Sequence, residues 1–478
     1  GRAAMGNADS NPVRNVDKRT SRREHRESFE AAVDRFRAAP FEAPADARPD
    51  EGDAAAHAAD RFVRVCVRKR PMFAHEREQG EFDAVTCLPG RVVVHDARMH
   101  PDMRHMFMNH HDFAFDEAFG EKVGNDEVYA GTARELVSVA LAGQCGTVMM
   151  YGQTGSGKTY TMSAVYERVA ADLFAGVAGA ARKVFATFVE LSGDKCCDML
   201  HAGEHCNLTQ GGDGSVHPFR CVEVEVQDAS ELLAMIGLAT RLRATAATGV
   251  HDQSSRSHAV CRVFVQGSHG GSEGCLTLVD LAGSEHRVDS SEHNAERRKE
   301  GAKINASLAA LKDCIRAASR GAKFVAFRQN RLTQLLRSCF SRLEKHQTVV
   351  IATVSPSSKD TEHSTNTLRH ACIMDGQKEQ REGNSAHVAS GAVTKEKLGE
   401  IDVAKIAREN RARAKAEGPQ DEWGKPQEPP AHQLKQSNTR ARQSLDRRAV
   451  QALPGRIKQA LLAARQEWGG DRQRARIG

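Results

Sequence analysis

Eight consecutive residues carry the clearest chemistry in the chain. Gly152-Gln153-Thr154-Gly155-Ser156-Gly157-Lys158-Thr159 has the spacing G-x-x-x-x-G-K-[ST], in which the backbone N–H groups of a glycine-rich loop curl round phosphates. In this loop Lys158 is placed to reach β- and γ-phosphate oxygens, and the Thr159 hydroxyl to ligate Mg²⁺ at a positive helix N-terminus. Two other segments supply what such a loop lacks. Ser254-Ser255-Arg256-Ser257-His258 offers hydroxyls for a γ-phosphate and its metal. Asp280-Leu281-Ala282-Gly283-Ser284-Glu285 offers a carboxylate suited to the metal's water shell and a glycine N–H that can come close to the γ-phosphate. Singly, a Ser-rich turn is an ordinary cap and Asp-x-x-Gly is weak. The ordered set carries the reading of a nucleoside triphosphate site with Mg²⁺, whose two loops would sense phosphate loss.

Such a site needs strands and helices to aim it. The apolar run Thr147–Tyr151 leads into the glycine loop, and Leu276–Leu281 into the aspartate. Further β-type runs at Phe62–Val67, Arg91–His95, Lys183–Leu191, Val260–Val265 and Thr348–Val354 alternate with helical stretches, which predicts an α/β fold with a central, mostly parallel sheet flanked by helices. The chain divides into residues 1–17 without structure, a basic helix and linker over 18–60, a catalytic domain over 61–376, and a basic, largely disordered tail with transient helices over 377–478. Phe29, Ala32, Val33 and Phe36 give the leading segment a short helical pattern.

Composition bounds the rest. The chain has 478 residues, with 40% hydrophobic and 27% charged, which excludes a wholly disordered or fibrous protein. Its net charge of +6 is too small to imply nucleic acid. From Lys378 onward, 21 basic against 13 acidic residues give +8, so the tail holds the excess and the remainder is about neutral. All 12 cysteines lie between Cys66 and Cys372 with no CxxC pair, which argues against a zinc module or disulfide scaffold and for a reducing, intracellular compartment. No apolar run approaches the ~18 residues of a membrane span. His258 and the other histidines lack metal-like spacing and are expected on the surface or in packing.

The strings GQTGSGKTYTM, SSRSHA and DLAGSE, with Asn305-Ala306-Ser307-Leu308 through Arg331-Leu332-Thr333, resemble a kinesin motor domain over about Phe62 to Asp375. Arg68-Lys69-Arg70-Pro71 is similar to that family's adenine-side element, Phe113–Asp116 to its FxFD element, and Thr365–Ala371 to its closing helix. The resemblance implies a P-loop ATPase acting on microtubules and the tubulin heterodimer. ATP would lie on Gln153, Thr154, Gly155, Ser156, Gly157, Lys158, Thr159 and Ser254, with its adenine flanked by Arg68, Arg70 and Pro71 and stacked on Tyr160. Thr159, Ser255 and, through water, Asp280 would hold Mg²⁺. Lys158, Ser255, Arg256, Gly283 and Glu285 would serve hydrolysis, Arg256 and Glu285 by pairing when the loops close.

CVRKRP, the segment Phe29–Ala39 ahead of it and Leu311-Lys312-Asp313-Cys314-Ile315-Arg316 resemble the kinesin-13 class, which implies shortening of microtubules from their ends. A slow kinesin-fold scaffold and a walking transport motor are the alternatives. That class presents Lys-Val-Asp at a hairpin tip, where this chain has His100-Pro101-Asp102; His251 replaces an Asn ahead of SSRSH and Ala306 a Lys. Tubulin contacts are expected at His100, Pro101, Asp102, Arg297, Arg298, Lys303, Lys312, Arg316 and Arg331. The expected setting is the cytoplasmic cytoskeleton, at spindle or flagellum, with no membrane or specific nucleic-acid partner and with a homodimer through the extensions left open.

Overall fold

The computed structural model describes residues 18–40, 63–100, 105–180, 182–212, 214–245, 253–267, 272–284, 295–340, 346–374, 393–400 and 443–466 apart from 444. Valine-rich runs with buried alternate positions build a ten-stranded sheet. Strand Val63–Lys69 pairs in parallel with Glu117–Phe119 on one side and His346–Val354 on the other; the latter pairs in parallel with Cys145–Gly152, and that strand with Gly274–Asp280. Beyond it His258–Val265, Val184–Ser192, Lys195–Asp198 and Glu204–His205 follow antiparallel, and Val224–Val226 pairs with Val184–Ser192. Each of the seven β-type runs holds a strand within its described residues. The sheet is mixed: its parallel half carries the glycine loop, while short connections such as Gly193-Asp194 turn the other half back on itself.

Because successive side chains of a strand point to opposite faces, two cores form. Val148 and Met150 face one cluster with helices Arg134–Leu141, Lys158–Val177 and Ala229–Thr245. Met149 and Tyr151 face another with helices Ala295–Ser319, Arg331–Leu335 and Thr361–Met374. A smaller antiparallel sheet, in the order Val393–Glu400, His105–Ala114, Arg91–Met99, Val85–Leu88, stands beside the second core.

The leading basic segment folds as helices Lys18–Glu24 and Arg26–Ala38, and the second does not stand in solvent. Phe29, Ala32 and Val33, at i, i+3 and i+4, are fully buried against Phe82, Ala84, Ala97, Met106 and Met108 of the small sheet and its approach. Phe36 packs its ring on His95 and His110 at 4.8 Å each.

Parts of the tail are likewise folded, where composition led us to expect only transient helices. Val393–Glu400 pairs with His105–Ala114, and helix Gly455–Gln466 buries Ile457 and Leu461 in the first core beside Ala449, Val450 and Leu453. Arg456 pairs with Glu231, and Arg465 with Asp446 at 2.8 Å. A few apolar residues at helical spacing suffice for docking, and averaging over a charged tail hides them.

Candidate functional site

Strand Cys145–Gly152 delivers the glycine loop and helix Lys158–Val177 leaves it, so the helix N-terminus faces the loop's concavity. Two glycines are required there. A Cβ on Gly152 would sit 2.4 Å from the Thr353 carbonyl oxygen, and Gly157 caps the helix at φ +103°, in the left-handed region. Lys158, nearly buried, donates to the carbonyls of Gly152 and Gln153 at 2.9 Å each. Ser156 Oγ donates to the Gln153 carbonyl and meets Thr353 Oγ1, locking the loop to the neighbouring strand.

The strand Gly274–Asp280 brings its terminal carboxylate to this loop. Thr159 Oγ1 donates to Asp280 Oδ2 at 3.0 Å, while Asp280 Oδ1 is buried with no hydrogen-bond partner among the described residues. A hydroxyl and an orphaned carboxylate oxygen form the hard oxygen donor set that Mg²⁺ takes. The two sensing loops meet beside it. Gly283 N–H donates to the Ser255 carbonyl at 2.8 Å, and Ser284 N–H to the Gly152 carbonyl at 3.1 Å. Ser255 and Arg256 lie in the turn Gln253–Arg256. The Ser254 side chain, His251 and Glu285 lie outside what the structure describes, and the expected Arg256–Glu285 pair with them.

Two residues at this junction escaped the sequence reading of the site. Arg243, in the last turn of helix Ala229–Thr245, is buried between Asp280 Oδ2 at 3.4 Å, Glu190 at 3.8 Å and the Ser257 carbonyl at 2.5 Å. A basic residue ending a helix just ahead of SSRSH was the available signal. His258, expected as surface or packing, is a buried connector. Its Nδ1 accepts from Ala282 N–H at 3.0 Å, which assigns the proton to Nε2, 2.8 Å from Ser307 Oγ. Burial, then the positive charges of Arg243 and Lys158, push its pKa down to about 3, so it stays neutral. One imidazole thereby joins both loops to helix Ala295–Ser319.

On the opposite lip, Tyr160 is exposed with the Arg68 guanidinium 5.5 Å from its ring centroid, and Arg68 donates to Thr161 Oγ1. Arg70 is a buttress: it holds Glu76 through two bonds of 2.7 and 2.8 Å and donates to the Gly155 carbonyl and Ser355 Oγ, beside Pro71. Burial alone would raise the Glu76 carboxyl; the Arg70 guanidinium and the Phe73 N–H bring it down to about 2.

The matched set, in this order on this sheet, agrees with the comparisons. The family model for the kinesin motor domain matches residues 68–375. The chain belongs to the kinesin family. Curated kinesin relatives include diatom spindle kinesin-1 from Cylindrotheca fusiformis, 40% identical over 67% of this chain and 51% of its own length. Kinesin-like protein KIN-13B from Arabidopsis thaliana is 35% identical, over 65% of this chain and 46% of its own, and KIF24 from Mus musculus 36%, over 65% and 23%. The chain thus spans about half the length of the first two. A solved structure described as a fast kinesin aligns at TM-score 0.58 and 27% identity, covering 66% of this chain and 91% of that one. The matched stretch is thus a kinesin motor domain, a P-loop ATPase domain.

The residues expected to touch tubulin fall in two places. Lys303 Nζ bonds Asp194 at 2.6 Å, and Arg331 donates to the Asp194 carbonyl, so these two converge on one turn. Along the same helix as Lys303, Lys312 is half-buried, which lowers its pKa, and Arg316 pairs with Asp313 at 2.9 Å. Arg297 and Arg298 sit on that helix too, but their side chains lie outside the description. His100 is exposed at the end of the hairpin made by Arg91–Met99 and His105–Ala114, its N–H bonded to the His105 carbonyl; Pro101 and Asp102 lie outside the described residues. No helix among the described residues is long and apolar enough to cross a membrane.

Proposed function

We propose that this kinesin uses ATP hydrolysis to shorten microtubules from their ends. The observation that carries the reading is the union of the leading helix Arg26–Ala38 with the hairpin sheet through Phe29, Ala32 and Val33. A walking motor has no need of a hairpin braced from ahead of the motor, whereas pressing on an end subunit requires a stiff protrusion. The likeness to KIN-13B supports the same reading. Bending an end subunit requires stronger binding to curved than to straight tubulin, since a ligand shifts an equilibrium only by its differential affinity.

In this reading the N–H groups of Gln153, Thr154, Gly155, Ser156 and Gly157 hold the phosphates, and Lys158 neutralises charge on the transferred group. Arg68, Pro71 and Tyr160 frame the adenine, with Arg70 steadying the loop. Thr159, Ser255 and Asp280 would hold Mg²⁺, which when bound supplies charge neutralisation. Gly283 and Ser254 approach the γ-phosphate, and Arg256 with Glu285 orients the attacking water. Lys303, Lys312, Arg316, Arg331, Arg297 and Arg298 form the basic face toward acidic tubulin, and His100, Pro101 and Asp102 the tip. The test is the length of stabilised microtubules over time with ATP and the protein. Shortening from the ends is expected; directed gliding, or constant length despite ATP turnover, overturns the proposal.

A further inference from the structure

Arg22 stands in a run of basic residues, Lys18-Arg19-Thr20-Ser21-Arg22-Arg23, where a solvated side chain would be ordinary. Instead it is 1% exposed. A guanidinium carries five N–H bonds, and all five are used. Nε donates to the Ala97 carbonyl at 3.2 Å, Nη1 to the Ser358 carbonyl and Glu362 Oε2 at 3.0 Å each, and Nη2 to Asp96 Oδ1 at 2.8 Å and Glu362 Oε1 at 2.9 Å. Taking this charge out of water is costly unless every donor is matched. Two carboxylates and two carbonyls match it. Burial would raise the Asp96 carboxyl, yet His111, then Arg98 and Arg22, hold it below the usual range; at the half-exposed Glu362, partial desolvation is outweighed by the hydrogen bonds and charge of Arg22.

The partners belong to different machines. Asp96 and Ala97 lie near the outer end of hairpin strand Arg91–Met99, and Asp96 Oδ2 also accepts from Arg98 Nε at 2.7 Å. Glu362 begins helix Thr361–Met374, whose Thr367 Oγ1 lies 3.2 Å from Ser284 Oγ and whose His370 meets the Tyr151 hydroxyl at 3.1 Å. Ser284 in turn bonds the first glycine of the phosphate loop. Within one helix, therefore, the middle touches the phosphate-sensing segment and the first turn holds Arg22.

We propose that Arg22 is a positioning residue that couples the hairpin to the nucleotide site, clamping Asp96 of the hairpin to Glu362 of the helix that touches the sensing loop. Displacement of that helix on a change of nucleotide is passed through the fork to the strand that carries the tip. Lysine cannot replace it, having three donors on one point and no planar fork. The inference relies on the depolymerase reading only for what the hairpin does, not for the coupling itself.

Hydrogen exchange on the full chain, without tubulin, tests the coupling. The unmodified protein is measured with ADP and with a non-hydrolysable ATP analogue, beside Glu362→Gln, which keeps the shape of the site but removes its charge, and Arg22→Lys. The unmodified hairpin, residues 91–114, should exchange differently in the two nucleotides. In both variants that difference should fall at least about fivefold, the low end of ordinary inter-site coupling. The nucleotide-dependent difference at residues 276–284 and the basal ATPase should persist. A merely structural role would change hairpin exchange equally in both nucleotides. No nucleotide dependence in the unmodified hairpin, or an undiminished difference in Glu362→Gln, overturns the proposal. If the unmodified protein fails to shorten microtubules but passes this test, the depolymerase reading falls and the coupling stands.

Discussion

Replacing Phe29 by alanine should release the leading helix from the motor while the motor stays folded. Phe29 is fully buried, in a cluster separate from the two cores of the large sheet, so the cavity it leaves weakens docking and not the nucleotide site. Phe→Ala at a closed site costs about 3–5 kcal/mol. At about 1.4 kcal/mol per decade, that lowers the docking equilibrium by ~10²–10³·⁵. A helix of 13 residues is marginal alone in water, so little would hold it once undocked. Hydrogen exchange across residues 26–38 should accelerate by that factor, while the thermal midpoint reported by bound nucleotide moves little. Unchanged protection of 26–38, or loss of protection there and in the large sheet together, would refute the separation of the two units.

Lys158→Ala should abolish ATP hydrolysis measured by phosphate release, because no other described cation takes its place in the loop; retained turnover would remove the loop from the chemistry. Ile457→Ala, emptying a fully buried site of the tail helix, should weaken docking of residues 443–466 by about 2–5 kcal/mol, read as faster proteolysis of the tail with the motor intact. Burial pushes His258 down to about 3 and His346 to about 4, so both are neutral in the folded protein and protonate on unfolding. The folded state then binds fewer protons, and the stability they contribute is present above about pH 6.5 and lost as pH falls toward 4 and 3, by about 1.4 kcal/mol per unit per group. Urea midpoints at pH 7 and 5 check this, and a midpoint that rises on acidification would contradict it.

Much of the site was legible because its chemistry is local. The phosphate loop needs its glycines, Lys158 and Thr159 contiguous between a strand and a helix, and the sensing loops announce themselves as short strings in fixed order. Legibility ended where function depends on who meets whom across the fold. Arg22 and Arg243 look like ordinary helix charges in sequence, since a guanidinium that will be buried differs from a solvated one only in its distant partners. His258 could be read as a packing residue but not as a connector, because Ala282 and Ser307 approach it only after three elements have assembled. The leading helix showed its apolar face at the right period, yet nothing in that period names the small sheet as its seat.

The tail strand Val393–Glu400 has a consequence for solubility. Without it, the ten-residue strand His105–Ala114 would end the small sheet with a row of open N–H and C=O groups, a template on which another chain can add. The tail strand takes that margin and replaces it with one bearing exposed Lys395 and Lys397 and a register break between Lys397 and Gly399. Positive charge and a kink both discourage further strand addition. A chain cut before residue 393 would therefore keep its motor but gain a self-associating seam along the hairpin.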